Sequence, residues 1–173
     1  MTAFKKAILI ALVLCLCVGC DQASKVIARN HLKSSPTIHL LGGMFLLHYT
    51  ENTGAFLGMG SRLPETVRFW LYVVLVGMVL AMMLGFVWVS KTIDALGILG
   101  GAMIVGGGLS NLVDRLMHDG AVVDFMNLGI GNLRTGIFNV ADLAIVFGAG
   151  IVFLSMLRQP SKGPEKPTTG GDI

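Results

Sequence analysis

The sequence predicts an all-α membrane protein with four transmembrane helices. Three observations carry that expectation. Only 13% of the 173 residues are charged and 54% are hydrophobic, with a mean hydropathy of +0.76. Soluble domains carry about 25% charged residues, so this composition suits lipid better than water. Four apolar runs also approach the roughly 20 residues a helix needs to cross a bilayer. Finally, the acidic residues and asparagines that sit in or beside those runs fall in a few tight groups, and intramembrane polar groups are functional candidates by default.

The expected spans, in chain order, are residues 7–23, 69–89, 95–112 and 140–157. Four spans return both termini to one side. Lys5, Lys6, Lys91, Arg158, Lys162 and Lys166 then face Lys25, Arg29, Lys33, Arg62, Arg68, Arg115 and Arg134 across the membrane. The positive-inside balance is therefore nearly even. The lysines before the first span and the basic tail point to cytoplasmic termini. Residues 1–158 read as one integral membrane domain. Residues 159–173 hold three of the five prolines with Gly, Lys and Thr, and read as a disordered cytoplasmic tail.

Within the first run, Lys5-Lys6 followed by apolar residues and Val18-Gly19-Cys20 imitates a lipoprotein signal ending at a lipidated cysteine. A mostly polar mature chain would follow such a signal, whereas three further apolar runs follow here, so the segment reads as a permanent span. Cys17 and Cys20 form a CxxC without the strand–helix setting of a redox motif, and with Cys15 they suit small packing residues. Residues 25–68 form a long connection with strand-like stretches at His39-Leu40-Leu41 and Met44–Tyr49. Turn signals stand at Gly42-Gly43 and Gly58-Met59-Gly60. This connection is too apolar for a solvated linker and is expected to pack on the membrane surface.

Each polar group has a plain structural reading. Asp21 and Lys25 are four apart and would pair on a helix face, ending the first span. Asn52 and Gly54 suit a turn with close backbone approach. Asn111, Asp114 and Arg115 fall on one helical face and suit a structural Asp–Arg pair. The glycines before them, Gly97, Gly100, Gly101 and Gly106-Gly107-Gly108, would let neighbouring helices approach. Asn139 and Asp142 suit the cap of the fourth span. Taken together, the groups say more. Asp124 and Asp142 are carboxylates at one membrane face, 17 residues of connection apart, and the chain could turn back at Gly129-Ile130-Gly131-Asn132. If they meet, each pushes the other toward its protonated form. One ionised and one protonated carboxyl is the arrangement that activates water and protonates a leaving amine in an aspartic protease.

The blocks Asp21-Gln-Ala-Ser-Lys25, Asn52-Thr-Gly54-Ala55-Phe56, Gly107-Gly108-Leu-Ser-Asn111-Leu-Val-Asp114-Arg115, Val123-Asp124-Phe125 and Phe138-Asn139-Val-Ala141-Asp142 stand in this order. In that order they resemble the bacterial lipoprotein signal peptidase family, from about Leu12 to Phe153. The resemblance implies that Asp124 and Asp142 are the catalytic dyad. It implies that Asn52, Gly54, Asn111, Arg115 and Asn139 line the site or hold substrate, with Asp21 and Lys25 important nearby and Asp114 beside them. It implies a small extracytoplasmic β-cradle and a lid-like segment before the second span. The implied substrate is a diacylglyceryl-modified prolipoprotein, cut just before its lipidated cysteine at the outer face of the bacterial inner membrane. Globomycin-like cyclic peptides are the implied inhibitors, and a single chain carries the whole site. Ser110 departs from the glycine more common at that position, and being small it should preserve the helix contact. No cofactor or metal is expected, since no His-Glu-x-x-His occurs. Nucleic acid binding is not expected either, because no basic stripe with interleaved aromatics occurs. Gly108-Leu-Ser110-Asn111 lacks the last glycine of a serine intramembrane protease motif, and no span carries a histidine base. The non-enzymatic alternative is a small transporter or proton relay, which would be expected to show internal repeats; none is evident.

Overall fold

The computed structural model describes residues 1–55 and 58–158. The sequence expectations for the tail from residue 159, and for Phe56 in the block that begins at Asn52, lie outside the described residues. Among the described residues, four helices are long and apolar enough to cross a membrane: Ala3–Leu32, Glu65–Val89, Ala95–Met117 and Val140–Arg158.

The first helix, α1 (Ala3–Leu32), starts where Thr2 accepts a hydrogen bond from the Lys5 amide at 3.4 Å. It has 30 residues, or about 45 Å at 1.5 Å per residue, against a hydrocarbon core of about 30 Å. Its apolar run ends near residue 23, yet the helix continues, because Asp21, Lys25, Ala28 and Leu32 keep one face buried. The Asp21–Lys25 pair expected on one helical face forms, and the helix runs on beyond it. The pair sits mid-helix, packed against its neighbours.

The second span comprises α2 (Glu65–Phe69), a π-helical stretch Trp70–Leu75 and α3 (Val76–Val89). It starts four residues earlier than the apolar pattern alone suggests, because Pro64 sets the chain direction and Glu65 opens the first turn. Asp94 then caps α4 (Ala95–Met117), accepting from the Gly97 amide at 2.8 Å and from the Ser155 hydroxyl.

The central helix is α4, and its glycines make it so. A Cβ on Gly106 would meet Cys17 of α1 at 2.7 Å, one on Gly101 would meet Val87 of α3 at 2.7 Å, and one on Gly100 would meet the Gly148 carbonyl of α5 at 2.6 Å. Each glycine is thus a point where a neighbouring helix comes close, through a side chain at Gly106 and Gly101 and through backbone at Gly100. One apolar cluster, with Ile10, Val13, Val87, Ile98 and Ala102 at its centre, ties α1, α3 and α4. The last helix, α5 (Val140–Arg158), lies along α4.

Four strands, β1 (Ile38–Leu40), β2 (Phe45–Asn52), β3 (Val122–Ile130) and β4 (Leu133–Arg134), form an antiparallel sheet in the order β1-β2-β3-β4. The β1–β2 turn uses positive φ at Leu41, Gly42 and Gly43, and the β3–β4 turn uses it at Gly131. The chain therefore turns back where the glycines stand. A register shift between Leu47 and Thr50 brings Thr50 opposite Asp124; such irregularities re-aim side chains beside functional sites. Val123 and Phe125 bury against Ala28 and Leu32, which fixes the sheet on the polar end of α1.

Candidate active site

Asp124 is the third residue of β3 and Asp142 lies in the first turn of α5. Asn139 joins them. Its backbone N–H donates to Asp142 Oδ2 at 3.0 Å, and its side-chain Oδ1 accepts from the Asp142 amide at 3.0 Å. That is a reciprocal cap on α5. The Nδ2 of the same side chain is left over, and it donates to Asp124 Oδ1 at 2.7 Å and to Asn111 Oδ1 at 3.1 Å. One asparagine, wholly buried, thus caps the helix and grips the other carboxylate.

Two more amides complete the ring. Asn52 at the end of β2 donates to Asp124 Oδ2 at 3.1 Å, and Asn111 on α4 donates to Asp142 Oδ1 at 3.0 Å. Each carboxylate oxygen therefore has a neutral donor. Amides orient a carboxylate without the full charge that would hold it ionised. Burial first, and the Asp142 carboxylate next, push the Asp124 carboxyl up to about 6. Asp124 also lines a cavity of about 310 Å³ with Thr50, Asn52, Thr53 and Gly136, so a substrate chain has room to reach it.

Gly54 and Arg115 form the rim. The Gly54 amide donates to Asn52 Oδ1 at 3.0 Å, and its carbonyl accepts from Arg115 Nη2 at 3.0 Å. A Cβ on Gly54 would lie 2.6 Å from the Met59 carbonyl, so the close backbone approach expected there is real. The expected Asp114–Arg115 pair does not form. Neighbouring positions on a helix diverge by about 100°, and Arg115 turns toward Gly54 while Asp114 turns inward.

Behind the ring is a buried ionic cluster. Lys25 Nζ lies 2.6 Å from Asp21 Oδ2, 2.9 Å from Asp114 Oδ2 and 2.9 Å from Asn111 Oδ1. Its three donors are all used. Two carboxylates on one ammonium leave an excess negative charge, and four further donors share it. Asp21 accepts from Ser110 Oγ at 2.7 Å and from the Ala141 amide at 2.8 Å. Asp114 accepts from Gln22 Nε2 at 2.7 Å and from the Val123 amide at 3.0 Å. The cluster consequently clamps the start of α5 and the strand bearing Asp124 to α1 and α4. Gln22 and Ser110 received no polar role from sequence reasoning. The signal was adjacency: each precedes or follows a cluster residue. Ser110 is wholly buried and is a hydrogen-bonding member as well as a small one.

The chain matches the family model described as Signal peptidase (SPase) II over residues 13–158. It is 36% identical over 146 residues to the lipoprotein signal peptidase of Nitratidesulfovibrio vulgaris (strain DP4), covering 84% of this chain and 86% of that protein. It is 31% identical over 152 residues to the lipoprotein signal peptidase of Clostridioides difficile (strain 630), covering 87% and 96%. A bacterial membrane enzyme solved by the in meso method at 2.3 Å resolution shares the fold, with a TM-score of 0.75 at 22% identity over 91% of this chain and 93% of that one.

Proposed function

This chain belongs to the signal peptidase II family of aspartic peptidases, and we propose that Asp124 and Asp142 are its catalytic pair. It is a multi-pass protein of the bacterial inner membrane that removes signal peptides from lipoprotein precursors. The transporter alternative is not favoured. The observation that carries the dyad is the single asparagine, Asn139, that hydrogen-bonds both carboxylates.

The chemistry follows from that ring. One carboxylate, ionised, takes a proton from water as the water attacks the scissile carbonyl. The other, protonated, donates to the carbonyl oxygen; the first then passes the proton it took from water to the leaving amine as the C–N bond breaks, and a hydroxyl of the tetrahedral intermediate returns a proton to the second. Coupled carboxyls share their titration, so the roles belong to the pair. Asn52, Asn111 and Asn139 hold the oxygens in place. Lys25 acts one step back through Asn111, near enough to temper the negative charge without abolishing the shared proton. Arg115 fixes Gly54 at the rim, and Asp21 with Asp114 anchors the clamp.

In this reading residues 1–158 are the working unit, with the tail beyond them dispensable and both termini cytoplasmic. The substrate is a diacylglyceryl-modified prolipoprotein cut just before its cysteine at the outer face. Each acyl CH₂ kept in lipid is worth roughly 0.8 kcal/mol, so an anchored scissile bond stays at the depth of these span ends. The sheet serves as the cradle for the substrate and the β2–α2 connection as its cover. Globomycin-like cyclic peptides would occupy the same cavity, and one chain suffices.

The test is a gel-shift assay in detergent with lipidated and unlipidated prolipoprotein. Asp124→Asn and Asp142→Asn should each lower cleavage of the lipidated substrate by at least ~10²-fold, with the unlipidated substrate uncut by the parent. Either variant cutting at the parent rate would remove that residue from the pair.

A further inference from the structure

A second cavity, of about 200 Å³, lies between the beginning of the second span and the end of α4. Glu65, Arg68, Phe69 and Tyr72 line one wall at helical spacing, and Arg115, Leu116 and Asp119 line the other. The two walls are a span's first turns and a span's last turn, so the cavity stands at the depth where helices leave hydrocarbon for headgroups. The π-helical stretch Trp70–Leu75 shares this wall; such stretches recur at functional sites.

We propose that this cleft binds the headgroup of a zwitterionic phospholipid carrying a primary ammonium. Its charged inventory is two guanidiniums and two carboxylates. Arg68 Nη1 is tied to the Ser61 carbonyl at 2.9 Å and Arg115 Nη2 to the Gly54 carbonyl at 3.0 Å, with Arg115 stacked 5.5 Å over the Tyr72 ring. Both guanidiniums are thereby held in place. Among the described residues Arg68 Nη2 and Arg115 Nη1, the other arms of the two forks, make no hydrogen bond. Held donors left over beside a membrane suit a phosphodiester, which guanidinium recognises in planar fashion.

Glu65 and Asp119 form no ion pair among the described residues. They complete the match. A primary ammonium brings three N–H donors to them, whereas a quaternary ammonium brings none and an anionic headgroup would leave both acids uncompensated. The volume fits a headgroup and not a whole lipid. The acyl chains would run past Phe69 and Leu116, which are 48% and 62% exposed, along the outer faces of the helices. This inference does not depend on which residues perform peptide cleavage.

Native mass spectrometry of the detergent-purified protein tests it. Phosphatidylethanolamine, phosphatidylcholine and phosphatidylglycerol with the same acyl chains would be added at equal concentration, with free phosphoethanolamine as a fourth arm. The parent should retain phosphatidylethanolamine about tenfold over the other two lipids, the scale of one charge-assisted hydrogen bond. Arg68→Gln should lose that retention. Glu65→Gln, on an exposed first turn, should bind phosphatidylethanolamine and phosphatidylcholine alike while melting with the parent. Equal retention of the three lipids by the parent, an unchanged preference in Glu65→Gln, or free phosphoethanolamine binding as well as the lipid would each overturn the proposal.

Discussion

Asn139 shows how much one side chain can decide. Its Oδ1 closes the cap of α5 while its Nδ2 reaches Asp124 and Asn111. Sequence reasoning offered helix cap or site residue as alternatives, and the same side chain makes both the cap and the contact to Asp124. Asn139→Ala should cost about 1 kcal/mol for the lost cap, with a further penalty for the acceptors left bare. In a gel-shift assay its cleavage rate should fall by more than that stability loss explains; a rate equal to the parent's would confine Asn139 to capping. Asp124 makes a separate prediction. A carboxyl whose folded pKa is raised binds its proton more tightly in the folded state. That advantage is complete below the ordinary carboxylate range and is lost as pH rises through about 6. Asp124→Asn removes the loss, so the variant should melt above the parent at pH 8, with the gap closing toward pH 4. The rise from 3.8 to about 6 corresponds to at most ~3 kcal/mol, less the hydrogen bond that the new amide group cannot accept from Asn52. A gap independent of pH would show that Asp124 does not titrate as described.

At the scale of elements, α4 is held by two different devices. Glycines bring its backbone against three other helices, and the Lys25 cluster bolts its polar end to α1, β3 and α5. The cluster should be costly to halve. Lys25→Met leaves Asp21 and Asp114 buried without their cation, a loss on the order of 3–5 kcal/mol. Ser110→Gly removes one donor and should cost about 1 kcal/mol. Thermal melting in detergent checks the ranking, and a Ser110 effect as large as that of Lys25 would break it. The glycines give a matched pair. A Cβ on Gly148 would stand 2.7 Å from the Gly100 carbonyl, while one on Gly85 has nothing within 4 Å. Gly148→Ala should therefore lower the melting midpoint, and Gly85→Ala should raise stability by about 0.5–1 kcal/mol through helix propensity. Similar behaviour of the two would mean that the α4–α5 approach is not tight.

Across the described residues, the four spans gather the sheet, the ring and the ionic cluster at one end, with Thr2 before α1 and Arg158 at the end of α5 at the other. Lys6, at the terminal end, donates to the Ser90 carbonyl at 2.7 Å, so even a positive residue meant for orientation has been drawn into packing. A green fluorescent protein fused after Arg158 should fluoresce in cells, as it does only in the cytoplasm. A dark fusion that is nevertheless translocated and intact would invert the proposed topology.

The sequence by itself determined the four spans, the family and the five polar blocks, because each is written locally: apolar length, helical spacing, and short runs of Asn, Gly and Asp. It also marked the turns at Gly42-Gly43 and Gly131, where a positive φ is needed. The tertiary structure alone decided who pairs with whom. Thr50 meets Asp124 across 74 positions of chain only because the sheet register shifts between Leu47 and Thr50. Asp114 chooses Lys25 over its neighbour Arg115 only because α1 continues past its apolar run to bring that lysine in. Partner choice among buried charges depends on which elements pack together. Packing is set by contacts far apart in the chain, where local periodicity carries no signal.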